Sequence, residues 1–227
     1  MTNINHVFFD LDHTLWDFDR NSALTFEKIF QMNNVDLPLD DFLKVYEPIN
    51  FAYWKLYREQ RVSKSDLRYG RLRDAFDALN FYPDDVLIYE LSEAYIEHLT
   101  TVNFLFEGTI EILEYLKKSY ALHIITNGFE EAQIKKLKNS KIEGFFKTVT
   151  NSEMVGVKKP NPKIFNFALK AANAKAHQSV MIGDSIEADI EGAEGVGMQT
   201  VFFDSKDEIG TYSKLKINKL EQLKQLL

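Results

Sequence analysis

The chain has 227 residues, with 27 basic and 34 acidic side chains, a formal charge of -7 and 45% hydrophobic residues. That acidic excess argues against a nucleic acid polymer or an acidic membrane as main partner, because the long-range field repels polyanions. The absence of cysteine excludes disulfides, thiolate metal sites and cysteine nucleophiles together.

No stretch approaches the roughly 18 apolar residues of a membrane span, and no basic segment leads into a long apolar one, so a cytoplasmic protein is expected. The first element, HVFFDLD from residue 6, reads as a short apolar strand that delivers Asp10 and Asp12. Alternation along a strand sends both acids to one side. Such a pair is costly unless a cation, a proton or a reacting group balances it; a single Asp capping the next turn is the bland alternative.

Of the ten glycines, only Gly70 precedes Gly108, so the stretch after the opening strand should be mostly helical and the later part rich in turns. SALTFEKIFQMNN, DFLKVYEPINFAYWKLYREQ, DLRYGRLRDAFDALN and VLIYELSEAYIEHLT carry helical apolar spacing, which predicts an insertion of four helices over about 17–105. From Gly108 on, helical patterns in TIEILEYLKK, EEAQIKKLKN and PKIFNFALKAAN alternate with the apolar runs ALHIITN, FFKTVTN, SVMIGD and QTVFFD. This order predicts an α/β core with a parallel sheet, formed by residues 1–16 and 106–227. INKLEQLKQLL reads as an amphipathic terminal helix.

Ligands of open parallel sheets sit at the carboxyl ends of the strands, where four groups are expected. Asp10 and Asp12 form the first. Thr126, Asn127 and Gly128 leave a strand just before a helix opens, a natural phosphate cradle of backbone N–H groups and a hydroxyl, although an Asn-Gly strand exit is common without a ligand. Lys159, held extended by the following Pro160, could neutralise an anion or be a solvated loop lysine; Lys158 is the adjacent competitor. Asp184 follows Gly183 at the end of an apolar strand, and carboxylates arriving from distant segments suit a hard cation such as Mg²⁺. Asp189, five residues on, could help behind such an ion or carry a charge at the helix start.

The segments FFDLDHT, ITNG, GVKKPNP and IGDSIEAD resemble, in order, the four motifs of the haloacid dehalogenase superfamily of phosphatases, and the helical insertion resembles its helical cap. Within that superfamily the chain is most similar to 5'-nucleotidases acting on pyrimidine nucleotides. The resemblance implies a Rossmann-like core and an Mg²⁺-dependent hydrolysis of a small phosphomonoester. Asp10 would be the nucleophile that becomes an aspartyl phosphate, and Asp12 the acid and then the base. Mg²⁺ would be held by Asp10, the Asp12 carbonyl and Asp184, with Thr126 and Lys159 on the phosphoryl oxygens.

Between Lys55 and Arg73 seven basic residues face two acidic ones, a local reversal that invites an anion. Trp54 or Tyr57 could stack on a base and Arg68 or Arg71 contact a nucleotide; core packing for the aromatics and a solvated face for the arginines are the alternatives. His13 sits at the variable position of the first motif as a neighbour of the site. A sugar-phosphate or phosphoglycolate phosphatase or mutase is the nearest alternative. A 2-haloacid dehalogenase would need neither metal nor Asp12, and a silent binding protein would have lost a motif residue.

Overall fold

The computed structural model describes residues 3–210 and 214–227. Its contacts divide the chain into two compact units, Met1–Phe18 with Asn103–Leu227, and Asp19–Val102.

In the first unit the strands β1 (His6–Phe9), β2 (Ala121–Thr126), β3 (Phe146–Asn151), β4 (Ser179–Gly183), β5 (Gln199–Phe203) and β6 (Lys216–Ile217) form one sheet in the order β3-β2-β1-β4-β5-β6. Every pairing is parallel. The strands are short; β1, β2, β4 and β5 are mainly apolar and buried, as a sheet covered on both faces requires, whereas the edge strand β3 carries Lys147, Thr148, Thr150 and Asn151. One face carries Phe8, Ile125 and Met181 against Ile164, Phe165 and Ala168 of α8 (Pro162–Ala171). Helix α8 starts where Asn161 caps the Lys163 amide and Pro162 occupies the first turn, a favoured helix opening.

The chain builds outward from β1 through β2 to β3, then returns to the other side of β1 with β4. The switch point of the sheet therefore lies between the carboxyl ends of β1 and β4, where ligands of such sheets bind. Phe9 pairs with Ile182 in register and the Asp10 amide donates to the Ile182 carbonyl at 2.9 Å, so Asp10 leaves β1 beside the end of β4.

Two expectations are corrected here. β1 stops at Phe9, because residues 11–16 fold into a tight turn in which the amides of Thr14, Leu15 and Trp16 all point at the Leu11 carbonyl; Asp10 is thus placed by the end of the strand, but Asp12 by the turn and not by strand alternation. The terminal segment forms a 3-10 helix over Leu220–Gln225, with Leu220 and Leu223 buried at a spacing of three, which the tighter helix brings onto one side. The two-residue β6 and the π-helical turn Ile186–Glu191 had no period long enough to announce them.

The second unit holds α1 (Phe18–Met32) from Asp19 onward, α2 (Leu39–Arg58), α3 (Lys64–Ala78) and α4 (Asp85–Leu99). Its interior is aromatic: the Phe26 ring lies 4.8 Å from Phe42, 4.6 Å from Tyr46 and 4.7 Å from Tyr95. Ser63 and Asp66 close a reciprocal capping box at the start of α3, and Asp84 caps α4. Among the described residues no helix is long and apolar enough to cross a membrane.

Candidate active site

The first unit also contains α5 (Thr109–Leu116), α6 (Glu130–Asn139) and the single turns α7 (Ser152–Val155) and α9 (Gly192–Glu194). The loops that leave β1, β2, β3 and β4 bring four of the sequence-predicted groups together. The Lys159 ammonium donates to Asp10 Oδ1 at 2.5 Å, Asp189 Oδ1 at 2.6 Å and the Ile125 carbonyl at 2.8 Å. A lysine has three protons, so every one of them is engaged. Lys158 is half-buried next to it and does not take these positions. Asn127 locks Lys159 from the backbone side: its Oδ1 accepts from the Lys159 amide at 2.7 Å and its Nδ2 donates to the Lys159 carbonyl at 3.0 Å. Ser152 in turn donates to the Asn127 carbonyl at 3.1 Å.

Thr126 is buried at the end of β2 and its Oγ1 accepts from the Gly128 amide at 3.1 Å. The Glu130 amide donates to Glu153 at 2.8 Å. Two of the N–H groups expected to lie open in a phosphate cradle are thus already partnered, which corrects that part of the reading. The Thr126 hydroxyl proton keeps no acceptor among the described residues.

Asp184 accepts from the Thr14 hydroxyl at 3.3 Å, which gives the last residue of FFDLDHT a task that the sequence did not reveal. Asp189 uses its second oxygen for the Ser185 amide at 3.1 Å. Carboxylate oxygens of Asp10, Asp184 and Asp189 lie within 4.8 Å of one another. Burial, followed by the repulsion of Asp189, pushes Asp184 up to about 7. Asp10 is raised well above the ordinary carboxylate range, by burial first, although Lys159 pulls it the other way. Burial alone would lower Lys159, but Asp10 and Asp189 outweigh it and hold the ammonium above its usual value.

This charge balance tests whether a metal fits. With all three carboxylates ionised, one ammonium leaves two negative charges, the deficit that one divalent cation would cancel; without such a cation, burial favours protons on Asp10 and Asp184 instead. The donors are all oxygen, as a hard cation prefers. Both Asp189 oxygens are engaged, whereas no hydrogen bond among the described residues reaches Asp10 Oδ2.

Asp12 has a different environment. Gln133 Nε2 donates to its Oδ2 at 2.7 Å and Lys136 Nζ to its Oδ1 at 2.5 Å, both from α6. Sequence reading missed these two residues. The available signal was helical spacing: Ala132, Gln133, Lys136 and Leu137 are buried together on α6 while Ile134 is exposed, so two polar side chains share the apolar inner face.

The proposed specificity residues lie in the helical unit. Trp54 and Tyr57 meet edge to face at 5.7 Å, and Arg68 pairs with Glu93 at 3.5 Å. Arg71 is only 2% exposed, donates to Asn50 at 2.8 Å and lies over the rings of Tyr95 and Tyr46. That places Arg71 in the interior of its own unit, neither on a solvated face nor in an open position for a ligand.

The parallel sheet carries its buried Asp-Lys-Asp cluster at the switch point, where α/β proteins bind their ligands, and the family match that spans it makes the protein a hydrolase. The chain belongs to the haloacid dehalogenase-like hydrolase family, whose pattern matches residues 7–203. It is 30% identical to the pyrimidine 5'-nucleotidase YjjG of Escherichia coli over 97% of this chain and 96% of that one. It is 33% identical to a glyceraldehyde 3-phosphate phosphatase of Pyrococcus furiosus, over 96% of this chain and 86% of that one. Among solved structures, the HAD-hydrolase YfnB of Bacillus subtilis, crystallised bound to magnesium, superposes with a TM-score of 0.90 at 27% identity, over 100% of this chain and 99% of that one.

Proposed function

We propose that the chain hydrolyses small phosphomonoesters through an aspartyl phosphate on Asp10, with nucleoside 5'-monophosphates, pyrimidine ones first, as its substrates. The observation that carries the reading is the division of labour between two acids: Asp10 is buried with one oxygen tied to Lys159 and the other open, while Asp12 is held apart by Gln133 and Lys136. A nucleophile needs an oriented, uncommitted oxygen, and a proton carrier needs a separate anchor.

Asp10 Oδ2 forms the bond to phosphorus as the ester oxygen leaves with a proton from Asp12. Asp12 then takes a proton from water, whose oxygen attacks the same phosphorus and releases Asp10. Thr126 has its hydroxyl proton available for a phosphoryl oxygen. Lys159 supplies neutralising charge by holding Asp10, since its three protons are already engaged. Asp10, Asp184 and the Asp12 carbonyl would hold Mg²⁺, which when bound adds positive charge beside the transferring group.

The sugar-phosphate reading is kept as the second one because the relatives include a phosphatase named for glyceraldehyde 3-phosphate. A screen of phosphomonoesters with Mg²⁺, with and without chelator, separates the readings. Release of phosphate from uridine or cytidine 5'-monophosphate, abolished by Asp10→Asn and lowered ~10²–10⁴-fold by Asp12→Ala, is the expected result. Wild-type turnover in Asp10→Asn would exclude the covalent route.

A further inference from the structure

We infer that Gln133 and Lys136 are positioning residues which together fix both carboxylate oxygens of Asp12 for proton transfer. The inference rests on the phosphatase reading above.

Neither side chain is where its chemistry alone would leave it. Gln133 is 1% exposed and Lys136 2% exposed, yet glutamine and lysine belong to the residue types least often buried without a partner. Their spacing of three on α6 sets both on the same helix face, and each reaches a different oxygen of the same carboxylate. Fixing both oxygens removes the rotation that a single contact would allow. The Lys136 ammonium is boxed in further by the Trp16 ring, 4.1 Å from its centroid, and by the Phe18 ring at 5.2 Å. Aromatic faces attract a cation without offering it an acceptor, so Asp12 is the anion that this ammonium faces most directly. Burial lowers the proton affinity of Lys136, with Asp12 opposing that loss.

Two further features depend on this arrangement. Gly128 has no φ in the left-handed region, but a Cβ there would run into the Gln133 side-chain amide; glycine leaves the passage through which Gln133 reaches Asp12. The Gln133 Oε1 atom is buried with no hydrogen-bond partner among the described residues. Turning the amide over to satisfy that oxygen would aim it at a carboxylate, so the orphan acceptor is the cost of keeping the N–H on Asp12.

Positioning of a proton carrier has a signature that a general loss of structure lacks. A poor leaving group, an alkoxide, needs the proton from Asp12 as its bond to phosphorus breaks. A 4-nitrophenolate departs as an anion near neutral pH and does not. The test compares Lys136→Met and Gln133→Met with the wild type, using 4-nitrophenyl phosphate and uridine 5'-monophosphate under single-turnover and steady-state conditions.

The expected result is a fall of ~10²-fold in single-turnover cleavage of the nucleotide, with KM changed little. On 4-nitrophenyl phosphate the first turnover stays fast and shows a burst, because only the later attack by water still needs Asp12. Equal fractional losses on both esters, or wild-type rates on both, overturn the inference. Asp12 keeps 21% of its side chain exposed, so water can serve it in Lys136→Met; if that variant does not fold, Gln133→Met decides alone. Failure of the phosphatase reading looks different, since the wild type itself would then release no phosphate from either ester.

Discussion

Gly183 and Asp189 occupy each other's space: a Cβ on Gly183 would run into the Asp189 carboxylate, and its distance to Asp189 Cβ itself would be 2.6 Å. The absence of a side chain at the end of β4 is therefore what lets Asp189 fold back to Lys159. Gly183→Ala must move the backbone of the π-helical turn and not only a flexible tip. We expect a loss of about 1–3 kcal/mol in stability from overpacking, and roughly 10²-fold in turnover because Lys159 and Asp10 shift with Asp189. Urea unfolding and phosphate release measure the two effects; unchanged turnover would separate Asp189 from the site.

Lys159 and Lys158 are neighbours with opposite expected behaviour. Removing the ammonium in Lys159→Met leaves Asp10 and Asp189 buried without their cation. Breaking a buried pair in this way costs about 3–5 kcal/mol, whereas Lys158→Met, outside the cluster, should stay within about 1 kcal/mol. Added Mg²⁺ should recover part of the Lys159→Met loss by cancelling the same negative charge. Equal thermal midpoints for the two variants would contradict the charge balance described for the site.

What could be read in the sequence follows from how local each signal was. The apolar strands, the glycine-poor helical insertion and the four motifs carry their period or spacing in a few consecutive residues, and the sheet that unites them follows from parallel-crossover rules. The two-residue β6 had no period to detect. The 3-10 geometry of Leu220–Gln225 shares its apolar spacing of three with an α-helix over one turn. Gln133, Lys136 and Thr14 escaped for another reason: helical spacing could set Gln133 and Lys136 on the inner face of α6, but the partners of all three, Asp12 and Asp184, lie more than 100 residues away, and no local pattern names a distant carboxylate. Thr126 and Asn127 stood at the expected strand end, but that Gly128 would lend its amide to Thr126, and that Asn127 would brace Lys159, needed coordinates.

Arg68 and Arg71 share a helix and differ in what holds them. Arg71 is interior, hydrogen-bonded to Asn50 and stacked on two tyrosine rings, while Arg68 pairs with a Glu93 carboxylate that is 75% exposed. A hydrogen bond from a charged donor is worth ~1.5–3 kcal/mol, and Arg71→Ala loses that together with its packing. An exposed ion pair is worth about 0–1 kcal/mol. Chemical unfolding should therefore rank Arg71→Ala well below Arg68→Ala in stability; the reverse order would return Arg71 to the role of an open ligand contact.

The sheet also contains a pH-sensitive element away from the acidic cluster. His123 on β2 faces His6 across 3.1 Å through one ring nitrogen and Thr148 on β3 at 2.8 Å through the other, and its ring stacks on Phe8 at 4.5 Å. Burial first, and the neighbouring His6 second, hold His123 down at about 4, against 6.5 for a free imidazole. The folded state thus keeps His123 neutral where the unfolded chain would protonate it. Its contribution is fully present above pH 6.5, declines as the pH falls below that value, and is exhausted once the pH passes below about 4. Each pH unit in that window is worth up to 1.36 kcal/mol, so between pH 7.5 and pH 5 the protein should lose about 2 kcal/mol through this residue. His123→Gln, which cannot titrate but can still meet Thr148, should flatten that part of the stability profile. Urea midpoints of both proteins at pH 7.5 and 5 provide the measurement, and an unchanged slope in His123→Gln would assign the pH dependence to another group.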